Sequence, residues 1–291
     1  MFPDTYNYCN ICGNKAPSFS SPGSVFISVL KAIAYFCFFE AVQTAVSFLF
    51  MAIIFLRAGF RGVGDINEIM SSLTAQTCLI SFVSGVLTVA LLFIFFTVRK
   101  KHFMKEIGVN RLAGVTVPVI IFMGVALNFF ASFTMAFIPF PDSLTEMYDV
   151  SYSYIGTGSL LIEFIAVVII APITEEIIFR ALMYKTVKKT APAWFAAIFS
   201  SVIFGIAHLN PISFVYTSLL GLMLIYLYEK TGSVTAPMLL HIGFNLGMYL
   251  VGLVPEASPL VYAVILTVSA MAFVLSAAVV ITVTEKRENA L

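Results

Sequence analysis

The sequence predicts an all-α membrane protein, a polytopic bundle of about eight transmembrane helices. Of the 291 residues, 60% are hydrophobic and only 11% are charged, and the mean hydropathy is +1.00. A soluble domain carries roughly 25% charged residues, so this chain could not cover itself with a wetted surface. Residues 69–98, 112–141 and 257–284 contain no Asp, Glu, Lys or Arg. Each run exceeds the ~20 residues that cross a hydrocarbon core.

Apolar runs between charge clusters define the predicted spans. Their limits are residues 32–56, 74–98, 112–138, 158–184, 193–209, 212–228, 234–254 and 258–283. The connections are short, so we expect a single transmembrane domain over residues 31–284, with tails at 1–30 and 285–291. No internal repeat is visible, which disfavours a transporter built from inverted repeats.

The distribution of basic residues predicts a multi-pass protein of the cell membrane with both termini in the cytosol. Basic residues follow the second, fourth and last predicted spans: Arg99, Lys100, Lys101, Lys105, Arg111, Lys185, Lys188, Lys189, Lys286 and Arg287. The third, fifth and seventh connections contain none. Cytoplasmic loops carry an excess of Lys and Arg, which places the even-numbered connections in the cytosol. Arg57 and Arg61, in the first connection, are the exception.

The N-terminal tail contains a Cys-x-x-Cys pair, Cys9 and Cys12. A tetrahedral zinc site needs four ligands, and neither a second pair nor a histidine follows nearby, so we interpret the segment as a reduced cytosolic tail. It lacks the basic and apolar regions of a secretory signal peptide. The net charge of +1 and the position of the basic residues beside apolar runs predict no nucleic-acid partner.

Charged residues inside the fourth predicted span indicate function. A charge at membrane depth costs at least ~2.5–3.5 kcal/mol on insertion scales, so it needs a role or a partner. Glu176 and Arg180 have the i,i+4 spacing that allows a pair along one helix face. Glu175 points about 100° away from Glu176 and is predicted to face a cavity. The alternative is a structural bridge, with Glu175 at the cytosolic interface.

Histidines in two later apolar segments could complete a site. His208 lies in the sequence Phe204-Gly-Ile-Ala-His208, and His241 precedes Asn245 by four residues. Residues at that spacing share a helix face. Either histidine alone is more often a satisfied core residue, but two of them with an amide and a carboxylate pair are harder to explain as packing.

This set of side chains supports peptide hydrolysis. The reaction needs an activated water, a proton donor for the leaving amine and donors for the developing oxyanion. A desolvated carboxylate becomes a stronger base, a histidine can hold the water, and a second histidine with an amide can line an oxyanion hole. Two histidines and a carboxylate could instead bind catalytic zinc, with Glu175, His208 and His241 as ligands. The residue types alone do not choose between these mechanisms.

The same residues carry a resemblance to a known family. EExxxR at Glu175, Glu176 and Arg180, FxxxH at Phe204 and His208, and HxxxN at His241 and Asn245 resemble the three motifs of the CPBP family. This is the CAAX prenyl protease and bacteriocin-processing group, also called Abi. The resemblance covers residues 159–254. One departure is Ala181, where the family usually has glycine.

The resemblance implies an eight-helix intramembrane endopeptidase. It implies that Glu175 and His208 activate water, that His241 and Asn245 stabilise the oxyanion, and that Glu176, Arg180 and Phe204 support the site. We expect a metal-free glutamate mechanism, with zinc as the alternative. The expected partners are membrane lipids and a hydrophobic peptide or membrane protein substrate, either a CAAX-type tail or a leader or signalling peptide. Two other functions stay open: a non-catalytic immunity or scaffold protein of the same fold, and a proton-coupled transporter.

Overall fold

The computed structural model describes residues 21–61 and 65–288, and in this part of the chain all regular structure is helical. The cysteine pair of the predicted tail, Cys9 and Cys12, lies outside the described residues. The helices are α1 (Pro22–Arg61), α2 (Ile66–Ala75), α3 (Thr77–Val98), α4 (Phe103–Ile107), α5 (Thr116–Met135), α6 (Asp142–Tyr152), α7 (160–188), α8 (Ala193–Ile206), α9 (Pro211–Thr231), α10 (Thr235–Val251) and α11 (Pro259–Glu288).

The prediction of an all-α, multi-pass membrane protein is confirmed. Among the described residues, five helices are long and apolar enough to cross a membrane: Pro22–Gly59, Thr77–Val98, Thr116–Met135, Pro211–Thr231 and Pro259–Lys286. Ala193–Ile206 and Thr235–Val251 are apolar but shorter. The count of eight spans and the cytosolic position of both termini stay predictions.

The helix limits differ from the sequence expectation at several points. Helix α1 begins at Pro22, inside the segment predicted as a tail. Three connections that the sequence presents as loops contain the short helices α2, α4 and α6. Helix α6, which is half polar, packs against α9 and brings tyrosines towards the centre of the protein.

Helix α7 runs continuously over residues 160–188 but changes its hydrogen-bond spacing along its length. Two stretches, Ile165–Ile170 and Ile177–Tyr184, are π-helical, and they flank the α-helical segment Ala171–Glu176. The N–H of Ala171 donates to the carbonyl of Ala166, five residues earlier. Such widened turns are rare and are frequent at functional sites. Here they enclose the segment that carries both glutamates.

Close helix contacts position α10. Helix α5 packs against α10 on one side and α11 on the other, and α8 and α9 form a packed pair. A Cβ atom at Gly243 of α10 would lie 2.0 Å from the backbone oxygen of Ile121, and one at Gly124 of α5 would lie 2.1 Å from that of Leu240. Only residues without a side chain allow the two backbones to approach this closely.

We therefore predict that Gly243→Ala destabilises the protein by about 1–3 kcal/mol, the usual cost of overpacking a core. The measurement is thermal unfolding in detergent. Gly252→Ala is the matched control, because its Cβ would meet its nearest atom at 3.5 Å, an ordinary contact. Equal melting temperatures for the two variants would contradict the packing argument.

Candidate active site

The carboxylate of Glu176 joins two helices at the centre of the bundle. The Glu176 side chain is fully buried, and its Oε1 atom accepts a hydrogen bond of 2.7 Å from Arg180 Nη1. The same oxygen lies 2.9 Å from His241 Nδ1. An ionised carboxylate can only accept hydrogen bonds, so His241 Nδ1 carries the proton. Glu176 thus forms one bond within α7, to Arg180, and one bond to α10, through His241.

Arg180 is also fully buried, and aromatic rings stabilise the rest of its guanidinium. Its Cζ atom lies 4.3 Å from the centre of the Phe204 ring and 5.9 Å from that of Phe179. The Nε and Nη2 atoms have no hydrogen-bond partner among the described residues. A cation over a ring face is attracted by the ring quadrupole, more strongly when it is desolvated. The Phe204 ring therefore stabilises the buried guanidinium of Arg180 through a cation–π contact.

Glu175 faces a different environment from its neighbour. Its side chain is 20% exposed, and its Oε2 atom lies 3.8 Å from His241 Nε2. Glu175 lines a cavity of about 380 Å³. The two adjacent glutamates are therefore divided, with one carboxylate fixed inside the protein and the other presented to an open space, as the helical geometry predicts.

His208 lines the same cavity, but it does not lie within a helix as the sequence suggested. Helix α8 ends at Ile206, and His208 occupies the turn before Asn210, the N-cap of α9. Leu209 has a φ of 57°, a left-handed conformation that ends the helix and reverses the chain.

The orientation of the His208 ring is set by its own turn. The Nδ1 atom lies 2.8 Å from the carbonyl oxygen of Phe204, and the ring packs edge-to-face on Phe204 at 4.9 Å between centres. A carbonyl oxygen can only accept, so Nδ1 donates. In the neutral ring, Nε2 is left as a hydrogen-bond acceptor.

Asn245 also lines the cavity, and its amide is held by the unusual part of α7. Its Nδ2 atom donates a hydrogen bond of 2.8 Å to the carbonyl oxygen of Val167, within the first π-helical stretch. A side-chain amide has two N–H groups. One is used to join α10 to α7, and a second is left on the same nitrogen.

Several cavity residues were not identified from the sequence. They are polar side chains of α1, α3, α5, α6, α9 and the loop after α6, namely Glu40, Gln43, Ser81, Asn128, Tyr148, Tyr152, Tyr154 and Tyr216. Tyr152 and Tyr216 are hydrogen-bonded through their hydroxyls at 2.7 Å. Asn128, inside a charge-free run, carried a usable signal, since a polar residue at membrane depth needs a partner or a role. The tyrosines of α6 carried none, because nothing in the sequence shows that their helix folds onto the bundle.

Glu163, an acid near the start of α7, is satisfied away from the cavity. Its Oε1 atom accepts a hydrogen bond from the Tyr249 hydroxyl at 2.9 Å, and its Oε2 atom accepts one from the Gly156 N–H at 2.8 Å. The side chain is buried. Glu163 is thus a structural carboxylate that fixes the N-terminal end of α7.

The zinc alternative, with Glu175, His208 and His241 as ligands, stays a prediction. No group of three or more His, Cys, Asp or Glu residues within 21–61 and 65–288 is arranged to hold a metal ion. Catalytic zinc takes three protein ligands. Glu175 and His241 approach each other. The bond from His241 Nδ1 to Glu176 is compatible with either mechanism, since a metal-bound histidine also donates its other ring N–H to a carboxylate.

Comparison with known proteins identifies the class of this segment. Residues 157–247 match the family model described as type II CAAX prenyl endopeptidase Rce1-like. A Bacillus subtilis (strain 168) protein, YdiL, provisionally described as a membrane peptidase, is 32% identical over 87 residues. That match covers 30% of this chain and 36% of YdiL, so the chain spans about a third of that relative. No solved structure shows a significant match.

The family match and the three motifs cover the same helices. Residues 157–247 contain both glutamates, Arg180, both histidines and Asn245. Glu175, the two histidines and Asn245 line one cavity, while Glu176 and Arg180 are fully buried, with Glu176 bonded to His241. Both matches support the resemblance to the CPBP family that the motifs indicated.

We predict that Arg180→Met destabilises the protein by about 3–5 kcal/mol, because it leaves the Glu176 charge buried without its partner. Thermal unfolding in detergent measures this effect. Lys188→Met is the control: the Lys188–Glu229 ion pair has side chains 40% and 37% exposed, and such pairs contribute only about 0–1 kcal/mol. Equal losses for the two variants would mean that the buried pair has no special importance.

Proposed function

We propose that this protein is an intramembrane endopeptidase that hydrolyses peptide bonds of hydrophobic, membrane-associated peptides without a metal ion. The observation that carries the proposal is the position of Glu175. Its carboxylate lies at a cavity within the helix bundle, 3.8 Å from the Nε2 atom of His241, while Glu176 holds the opposite nitrogen of the same ring at 2.9 Å.

Glu175 is the proposed general base. A carboxylate in a poorly hydrated pocket is a stronger base than one in water, so it can take a proton from a water molecule. His208 lines the same cavity, and its Nε2 atom is available to accept the second hydrogen bond of that water. The water oxygen then adds to the carbonyl carbon of the substrate. As the C–N bond breaks, Glu175 returns its proton to the leaving nitrogen.

His241 and Asn245 are the proposed oxyanion donors. The bond from His241 Nδ1 to Glu176 fixes the ring and directs Nε2 towards Glu175 and the cavity. Because Nδ1 already donates to Glu176, Nε2 can donate only when both ring nitrogens carry a hydrogen. The second N–H of Asn245 is the other donor. Fixed donors of this kind typically contribute ~10²–10³ to the rate.

The cavity suits a peptide rather than a small polar molecule. Its lining combines the catalytic polar groups with apolar side chains such as Phe39, Leu220 and Met248. A second cavity of about 540 Å³ shares Glu40, Gln43, Ser81, Tyr154 and Val167 with it. The two spaces therefore adjoin, and together they offer room for several residues on either side of a scissile bond.

We predict that Glu175→Gln lowers kcat by ~10²–10⁴, the usual contribution of a general base. Purified protein in detergent, assayed on a panel of membrane peptides by mass spectrometry, measures this loss. Glu163→Gln is the matched control, a buried carboxylate of the same helix outside the cavity, and should keep its activity per folded molecule.

If Glu175→Gln keeps its biological phenotype and wild-type protein cuts no peptide, the scaffold function is favoured instead. Proton-driven flux in liposomes would favour the transporter.

The metal-free mechanism gives a separate prediction. Extensive dialysis against a zinc chelator should leave the cleavage rate unchanged, because the proposed chemistry uses Glu175, the cavity histidines and Asn245 without a metal ion. Metal analysis of the same sample before and after dialysis shows whether zinc was removed. Loss of cleavage on chelation, with recovery on adding zinc, would contradict the metal-free mechanism while leaving the endopeptidase assignment intact.

A further inference from the structure

We infer that Pro172 is a positioning residue for the proposed reaction, acting by freeing the backbone carbonyl that orients Asn245. The inference rests on the proposed function for its kinetic consequence. Its structural part stands independently, on the hydrogen bonds of helix α7.

The first step concerns the carbonyl of Val167. In an α-helix this oxygen would accept from the N–H of Ala171, four residues later. Here the Ala171 N–H donates to Ala166 instead. If this π-helical spacing continued by one residue, the donor to the Val167 carbonyl would be the N–H of residue 172. That residue is proline, which has no N–H to donate.

The second step concerns the acceptor that results. A backbone carbonyl inside a membrane domain needs a hydrogen-bond partner, because an unsatisfied group is costly. The Val167 carbonyl finds its partner on another helix, in the amide of Asn245 at 2.8 Å. Pro172 therefore leaves a backbone acceptor about two helical turns before Glu175.

The third step concerns what this bond fixes. An asparagine amide on a helix can rotate about its side-chain torsions, and an unoriented donor gives little stabilisation to an oxyanion. Using one N–H on Val167 leaves the second with a defined direction. Val167 and Asn245 both line the cavity. The bond to Val167 therefore positions the Asn245 donor against α7, the helix that also carries the base, Glu175. Pro172 thus helps to fix the position of the Asn245 donor relative to Glu175.

The test compares Pro172→Ala, Asn245→Ala and the double variant with wild type. Alanine at 172 restores an N–H that can satisfy Val167 within α7, which releases Asn245. We expect kcat to fall on the order of tenfold to a hundredfold, the range that misplacement of a reacting group produces, with KM little changed. Asn245→Ala should lose at least as much, and the double variant should be no slower than Asn245→Ala. Pro118→Ala is the control, because Pro118 lies in the first turn of α5, where a missing N–H costs nothing.

A second readout does not depend on activity. In protein labelled with ¹⁵N at asparagine side chains, the Asn245 signal is identified by its loss in Asn245→Ala. We expect it to shift and to exchange faster in Pro172→Ala but not in Pro118→Ala. An unchanged signal, or additive losses of kcat in the double variant, overturns the inference. If wild-type protein cleaves nothing, the proposed function fails, and the amide signal still decides the role of Pro172.

Discussion

The structure depends on the burial of one carboxylate. Taking an ion out of water costs several kcal/mol, and the cost is recovered only if its partners are close and well aligned. Glu176 meets this requirement through Arg180 at 2.7 Å and His241 at 2.9 Å. Because these partners lie on two helices, the need to neutralise one charge fixes the rotation of α10 against α7. The same interaction determines which His241 nitrogen faces the cavity.

Phe204 extends this arrangement to a third helix. Its ring lies beneath the Arg180 guanidinium and packs edge-to-face on both His208 and His241. A single aromatic side chain of α8 thus contacts the cation and both imidazoles. This explains physically why a phenylalanine four residues before the histidine belongs to the pattern. It serves as a rigid platform, and it keeps water away from the ion pair, where the low dielectric strengthens the electrostatic interactions.

The matched segment forms only part of the cavity. Residues 157–247 supply the groups with proposed chemical roles, while α1, α3, α5 and α6 supply the opposite wall, including Glu40, Asn128 and Tyr152. The family model does not extend to these earlier helices. Hydrolysis within a membrane requires water and a peptide to meet in a space that lipid does not fill. In this chain the cavity is enclosed jointly by the matched segment and by the earlier helices.

The sequence by itself determined the class of fold, because the hydrocarbon core permits helices alone for chains with such long apolar runs. It also indicated the Glu176–Arg180 pair and the opposite direction of Glu175, since both follow from helical periodicity. Only the tertiary structure showed that Glu176 shares its oxygen with His241, that His208 lies in a turn, and that tyrosines of α6 reach the cavity. These features arise from packing between distant helices, and local spacing contains no information on that packing. The π-helical stretches of α7 belong to the same group, because Pro172 signals a disturbance in the helix but not the hydrogen bond from Asn245 that it makes possible.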